Sequence, residues 1–370
     1  HLIQEETLKL KNASAAFALL GASALVLSGC AAAPEEEPAA TSTATATEEP
    51  AAETIDFLAC AVSDEGSWND KSFNESTYDG LEAAQSQLGV QIDDAESNTP
   101  EEFTPNLEAM VAAGCDITFA VGFGLADPVN LIAEANPGMN FVSIDGYSAH
   151  PNLKPLLYNM AESSYLAGYL AASYSTTKVV STYGGIPIPA VTDFMDGFYY
   201  GAMAWGMEND VEVTVVGWDP VAMTGDFMGD FTPNSLISKG IALSHIEAQA
   251  DVVFPVAGDQ FGAVSEAIKE TGVEAVMIGV DKDIALTSPE YADLVLTSAE
   301  KRMTNAVYDI IAELSAGGEF SGEQYTGTLA NGGTGLSPFY EFDAMIDDAT
   351  KARLAELEAG IIAGEVDPKA

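Results

Sequence analysis

The sequence predicts an α/β protein whose single chain builds two doubly wound parallel-sheet lobes. The main observation is an alternation that begins at Thr54: short apolar runs are followed by amphipathic stretches of helical period. That pattern belongs to parallel strands covered by helices on both faces. Length agrees, since 370 residues provide for two domains. Composition agrees too, because 47% hydrophobic residues supply a core and place the chain outside the disordered class.

Lys9 and Lys11 precede an uncharged run over residues 13–27. These are the basic and apolar regions of a secretory signal, too short to span a bilayer comfortably. The run ends in Leu27-Ser28-Gly29-Cys30, which resembles the bacterial lipobox, so Cys30 is expected to carry lipid and residues 1–29 to be removed. Residues 31–53 are Ala, Pro, Thr and Glu without an aromatic or basic side chain. Such a segment buries too little to order itself and reads, with Cys30, as a tether over 30–53.

In the body, strands are expected at residues 55–62, 117–121, 141–144, 179–182, 211–217, 252–256 and 275–280. Helices are expected at 73–88, 164–175, 194–207, 236–249, 263–270 and, last, 344–362. Four strand ends carry acids or glycines: Ser63-Asp64-Glu65-Gly66, Asp145-Gly146, Ala257-Gly258-Asp259 and Asp281. Ligands of open parallel sheets sit at the carboxyl ends of strands, so these residues point to a cleft. Cys60 and Cys115 lie at apolar segments, where buried free thiols are the default; an oxidising exterior leaves a disulfide open.

Charge excludes several functions. With 13 Lys+Arg against 57 Asp+Glu, the net charge is −44, which disfavours nucleic acid and anionic lipid surfaces. Three histidines, far apart, assemble no zinc cluster, and no G-x-S-x-G or P-loop motif occurs. Neither a cofactor nor a metal is expected, and phosphates would meet a negative field, so a neutral ligand suits the cleft.

The motif Asp64-x-Gly66-x-x-Asn69-Asp70-x-Ser72-Phe73-Asn74, followed by Tyr78 and Gly80, resembles the signature of the BMP (basic-membrane-protein) family. Phe254-Pro255-Val256-Ala257-Gly258, Ile278-Gly279-Val280-Asp281 and Thr297-Ser298-Ala299-Glu300-Lys301 follow in the family's order. The resemblance implies a lipoprotein of an ABC importer that binds a purine nucleoside (guanosine, inosine or adenosine) and meets permease and ATPase subunits. It implies a type I periplasmic-binding-protein fold with three hinge crossings. Lobe one would be residues 54–159 plus 283–318, and lobe two 160–282 plus 319–342. A C-terminal segment, 343–370, would follow.

The same resemblance assigns roles. Phe73 and Phe231 would stack on the base, with Phe227 a competitor for the second place. Asp64 and Asp145 would accept from the base edge, since ionised carboxylates only accept hydrogen bonds. Asp281 would accept from the ribose hydroxyls, Lys301, at a helix start, would donate to the sugar and neutralise Asp281, and Gly258 would admit close backbone approach. Asn69 and Asp70 would order the loop before Phe73. Two places depart from the family pattern: Glu75 stands where Gln is common, and Asp259-Gln260-Phe261 where small residues are usual. Competing readings are a sugar or other small polar ligand, a nucleoside hydrolase using Asp64 and Asp145, and a surface sensor or adhesin.

Overall fold

The structure is a computed structural model that describes residues 54–370; the signal, Cys30 and the tether lie outside the described residues. The chain opens with β1 (Leu58–Glu65), α1 (Phe73–Leu88), β2 (Gln91–Ser97), α2 (Phe103–Ala113), β3 (Ile117–Val121), α3 (Ala126–Ala135), β4 (Asn140–Ile144) and β5 (Leu153–Tyr158). It continues through α4 (Met160–Tyr174), β6 (Val179–Gly184), α5 (Pro189–Asn209), β7 (Thr214–Val216) and a hairpin of β8 (Trp218–Asp219) and β9 (Thr224–Gly225). Then come α6 (Leu236–Glu247), β10 (Val252–Val256), α7 (Phe261–Thr271), β11 (Val276–Asp281), α8 (Ile284–Thr287) and β12 (Val295–Lys301). The last elements are α9 (Met303–Ser315), β13 (Tyr325–Gly327), β14 (Thr334–Leu336) and α10 (Asp348–Ile362).

Two six-stranded sheets result. The first has the order β13-β5-β4-β3-β1-β2 and is parallel throughout. The second, β14-β12-β11-β10-β6-β7, is parallel except where β14 runs against β12. Parallel strands covered on both faces explain the unbroken burial of β3 and β10.

The chain passes between sheets three times: after Tyr158, after Lys301 and between Gly327 and Thr334. Two of the expected lobe boundaries are corrected accordingly. β12 stays in the second sheet because it pairs in parallel with β11, so residues 283–301 belong to lobe two. β13 pairs with β5, so residues 319–327 stay with lobe one, as does α9, which packs on α1. β13 is only three residues long, and β12 ends in polar residues, so neither declares itself by hydropathy.

Helices α4 and α5 pack unusually close. A Cβ on Gly168, Gly197 or Gly201 would lie 2.0, 2.3 or 1.9 Å from a facing backbone oxygen. This contact seats α5, whose first turn starts at Pro189 and carries Phe194 toward the space between the sheets. In lobe one, Cys60 of β1 and Cys115 before β3 form a disulfide, where free thiols were the default expectation. Among the described residues no helix is long and apolar enough to cross a membrane.

Candidate functional site

The carboxyl ends of both sheets open onto one cleft with an empty volume of about 720 Å³, counting its open mouth. Lobe one contributes Asp64 from the end of β1, Phe73 from the first position of α1, and Asp145 just beyond β4. Lobe two contributes Phe231, Gly258 beyond β10, Asp281 at the end of β11, and Lys301 at the end of β12. All seven residues singled out in the sequence thus line a single space.

Local chemistry holds each in place. The Asp70 carboxylate accepts the backbone N–H groups of Ser72, Asn74 and Glu75 at 3.0, 2.9 and 3.0 Å. These close the open amides of the first turn of α1 and so fix Phe73. Asn69 does not share that task; its side-chain oxygen accepts from the Lys71 ammonium. Asp145 and Asp281 both adopt left-handed backbone, with φ of 57° and 67°, which a short acid tolerates better than a branched residue. At the end of β3, Gly122 has φ of 108°, and a Cβ there would lie 2.1 Å from Asp64 Oδ2. Only glycine lets that backbone close over the carboxyl group.

Phe231 is carried by a loop docked on the end of β6. Gly184 N–H donates to Asp226, and the N–H groups of Met228 and Gly229 donate to Gly184 and Gly185, at 2.9–3.0 Å. The buried His245 ring reaches Asp226 Oδ2 at 3.0 Å and pins the start of the loop. The Phe231 ring lies against Gly185, where a Cβ would come within 2.3 Å of it. Phe227 instead meets Trp218 edge-on at 5.9 Å and is not part of the cleft wall.

Lys301 differs from expectation in two respects. It closes a strand and does not start a helix; α9 begins at Met303. Its ammonium bonds Asp145 Oδ2 at 2.6 Å, with side chains only 3% and 8% exposed, where Asp281 was the expected partner. The pair joins the two lobes at the base of the cleft. The same ammonium lies 5.1 Å from the Phe73 ring centroid and 5.3 Å from that of Phe194, an attractive cation–aromatic arrangement.

Burial dominates the electrostatics. It pushes the Asp64 carboxyl up to about 7, opposed by the hydrogen bond from Asn74 Nδ2 at 3.0 Å and reinforced by Asp70, Glu65 and Asp145. Burial likewise pushes Asp281 up to about 6, while Lys301 and the Ser72 hydroxyl, 3.0 Å away, favour its charged form. Asp70 is raised by burial despite its three amide donors. The result is a crevice of aromatic faces, hydrogen-bond acceptors and one buried cation. Among the described residues no cluster of His, Cys, Asp or Glu could hold a metal ion.

Asn74, Gly122 and Phe194 are among the wall residues that escaped the sequence reading. Asn74 stood in the motif without a role, yet it orients Asp64 and keeps a buried, unpartnered Oδ1. Gly122 follows a strand and was findable by the same strand-end rule that found Asp145. Phe194 was read as the start of an amphipathic helix, and nothing in its pattern separates a wall aromatic from a core one.

Comparison with known proteins gives the site its context. Residues 57–367 match the Bmp family, described as ABC transporter substrate-binding protein PnrA-like. The ABC transporter nucleoside-binding protein BmpA of Lactococcus lactis is 29% identical over 332 residues, covering 84% of this chain and 88% of that protein. Basic membrane protein A of Borreliella burgdorferi is 28% identical over 309 residues, 82% and 85% of the two chains. Among solved structures, a solute-binding protein of an ABC transporter system from Aeropyrum pernix superposes with a TM-score of 0.74 at 22% identity, covering 84% of this chain and 92% of that one. The family match spans both lobes and the entire cleft: this chain belongs to the PnrA-like (Bmp) family of ABC transporter substrate-binding proteins.

Proposed function

We propose that the cleft captures a purine nucleoside and that the protein delivers it to an ABC permease from the outer face of the membrane, held there by lipid on Cys30. The observation that carries this reading is the meeting of Phe73, Phe231, Asp64, Asp145, Asp281, Lys301 and Gly258 around one cleft. Phe73 and Phe231 come from different lobes and offer faces to a planar base, worth about 1–3 kcal/mol per stacked ring. Asp64 accepts from the base edge. Asp281 accepts from the ribose hydroxyls, and Lys301, shared with Asp145, donates to the sugar. A nucleoside carries no phosphate, which suits a wall rich in carboxylates. The name of the Lactococcus lactis relative, a nucleoside-binding protein, supports the ligand class.

Calorimetry against guanosine, inosine, adenosine, the matching free bases and ribose tests the reading. Nucleosides are expected to bind, free bases more weakly, and ribose alone not measurably. Binding of ribose without binding of any nucleoside would make this a sugar receptor. Inosine recovered intact after incubation is expected of a receptor, whereas release of hypoxanthine would make the protein a hydrolase. Cys30→Ala is expected to move the protein from the membrane fraction to the medium.

A further inference from the structure

We propose that Lys282, which lines no part of the cleft, is a positioning residue for capture: with Glu75 and Asp79 it forms an ionic clasp that favours the closed arrangement of the lobes. This rests on the reading of the cleft as a nucleoside site. Lys282 follows Asp281 at the end of β11 in lobe two. Its ammonium bonds Glu75 Oε1 at 2.8 Å and Asp79 Oδ2 at 2.7 Å, both on α1 of lobe one. The Lys282 and Glu75 side chains are 14% and 16% exposed, so the pair is largely shielded from solvent. Lys71, on the loop leading into α1, adds a second cation to Glu75 at 3.2 Å.

The position of the clasp matters more than its strength. Lys282 adjoins the proposed ribose acceptor Asp281, and Glu75 lies two residues after the stacking Phe73. Ser72 donates to Asp281 across the same seam. The clasp thus ties the lobe-two end of the site to the lobe-one end without touching the ligand. It also accounts for the departure noted at position 75, because a neutral Gln there would leave Lys282 a single carboxylate on α1. Closure brings Asp64, Asp70, Asp145, Asp259 and Asp281 around one space, and charges of one sign resist that approach. A shielded cation bridging the lobes offsets the resistance.

A residue acting only on closure changes the fraction of binding-competent protein, so every ligand loses affinity by the same factor. Lys282→Met is therefore expected to weaken guanosine, inosine and adenosine equally, by about tenfold, mainly through faster dissociation. Lys282→Arg is expected to restore most of the loss. The Glu75→Gln/Asp79→Asn variant is expected to match Lys282→Met, and the combined triple variant to lose little more. It also serves in place of Lys282→Met should that protein fail to fold. Unchanged affinity and dissociation in both variants, or a loss confined to one nucleoside, overturns the clasp. Small-angle scattering without ligand separates this from failure of the nucleoside reading: Lys282→Met is expected to expand the protein, and an unchanged radius of gyration also overturns the clasp.

Discussion

At Asp64, burial and three neighbouring carboxylates oppose ionisation, and the hydrogen bond from Asn74 recovers only part of the loss, leaving the group near 7. The folded state therefore holds a proton more tightly than the unfolded chain, where the value is 3.8. A raised carboxyl contributes stability that is fully present below about 4 and is lost as pH climbs through about 7. Asp281, raised to about 6, acts in the same direction. Urea unfolding of ligand-free protein at pH 5 and pH 8 is expected to show the wild type losing ground relative to Asp64→Asn over that interval. Parallel behaviour of the two proteins would remove the raised group from the account. A base that offers an N–H to Asp64 needs the carboxylate, so binding at pH 6 is expected to release most of a proton. Calorimetry in buffers of different ionisation enthalpy measures it, and zero release would mean that Asp64 keeps one protonation state through binding. Phe73→Ala tests the other kind of contact. It is expected to cost about 1–3 kcal/mol of nucleoside affinity with the fold kept, because one face of the base loses its stack.

Elements show where a sequence speaks and where it does not. The helix expected at 73–88 and the strands at 117–121 and 252–256 occur with those limits: Ser72 and Gly89 bracket the helix, and each strand is a short, continuously buried run that begins just after an Asp. Strand β2, Gln-Ile-Asp-Asp-Ala-Glu-Ser, was invisible: it is an edge strand, half in solvent, and its acids break the apolar pattern. The run at 211–217 shrank to the three residues of β7, another edge, for want of a partner beyond it. The cleft was legible because the strand-end rule and the motif both pick out backbone turns. The Lys301–Asp145 pair was not, because partners 156 residues apart meet only through the sheet topology. The disulfide belongs to this scale as well. It links β1 to Cys115, two residues ahead of β3, across a sequence separation of 55, and such a loop constrains the unfolded chain by about 4 kcal/mol in the entropic picture. Cys60→Ala/Cys115→Ala is expected to lose about 2–4 kcal/mol of unfolding free energy while nucleoside affinity stays near wild type. A large affinity loss at unchanged stability would place the bridge in the function of β1 and not in its anchoring.

The whole molecule carries a net charge of −44, with 57 acids facing 13 lysines and arginines. Even if every cation were paired, most acids would have only one another and solvent for company. The repulsion is a property of the compact state, because unfolding moves the charges apart. It is also long-ranged, so screening weakens it more than it weakens the buried pairs at Lys301 and Lys282, whose charges are shielded by protein. Raising sodium chloride from about 0.1 to about 1 M shortens the Debye length from about 10 to about 3 Å. The folded protein is then expected to gain stability, read as an upward shift of its thermal midpoint by a few degrees. Two further solutes identify the cause. Low concentrations of guanidinium chloride, itself a screening salt, are expected to stabilise before they denature, whereas urea, which is uncharged, destabilises from the first addition. If guanidinium behaves like urea and sodium chloride leaves the midpoint unmoved, the acids are already compensated within the fold, and the resistance to lobe closure that Lys282 is proposed to offset would be absent as well.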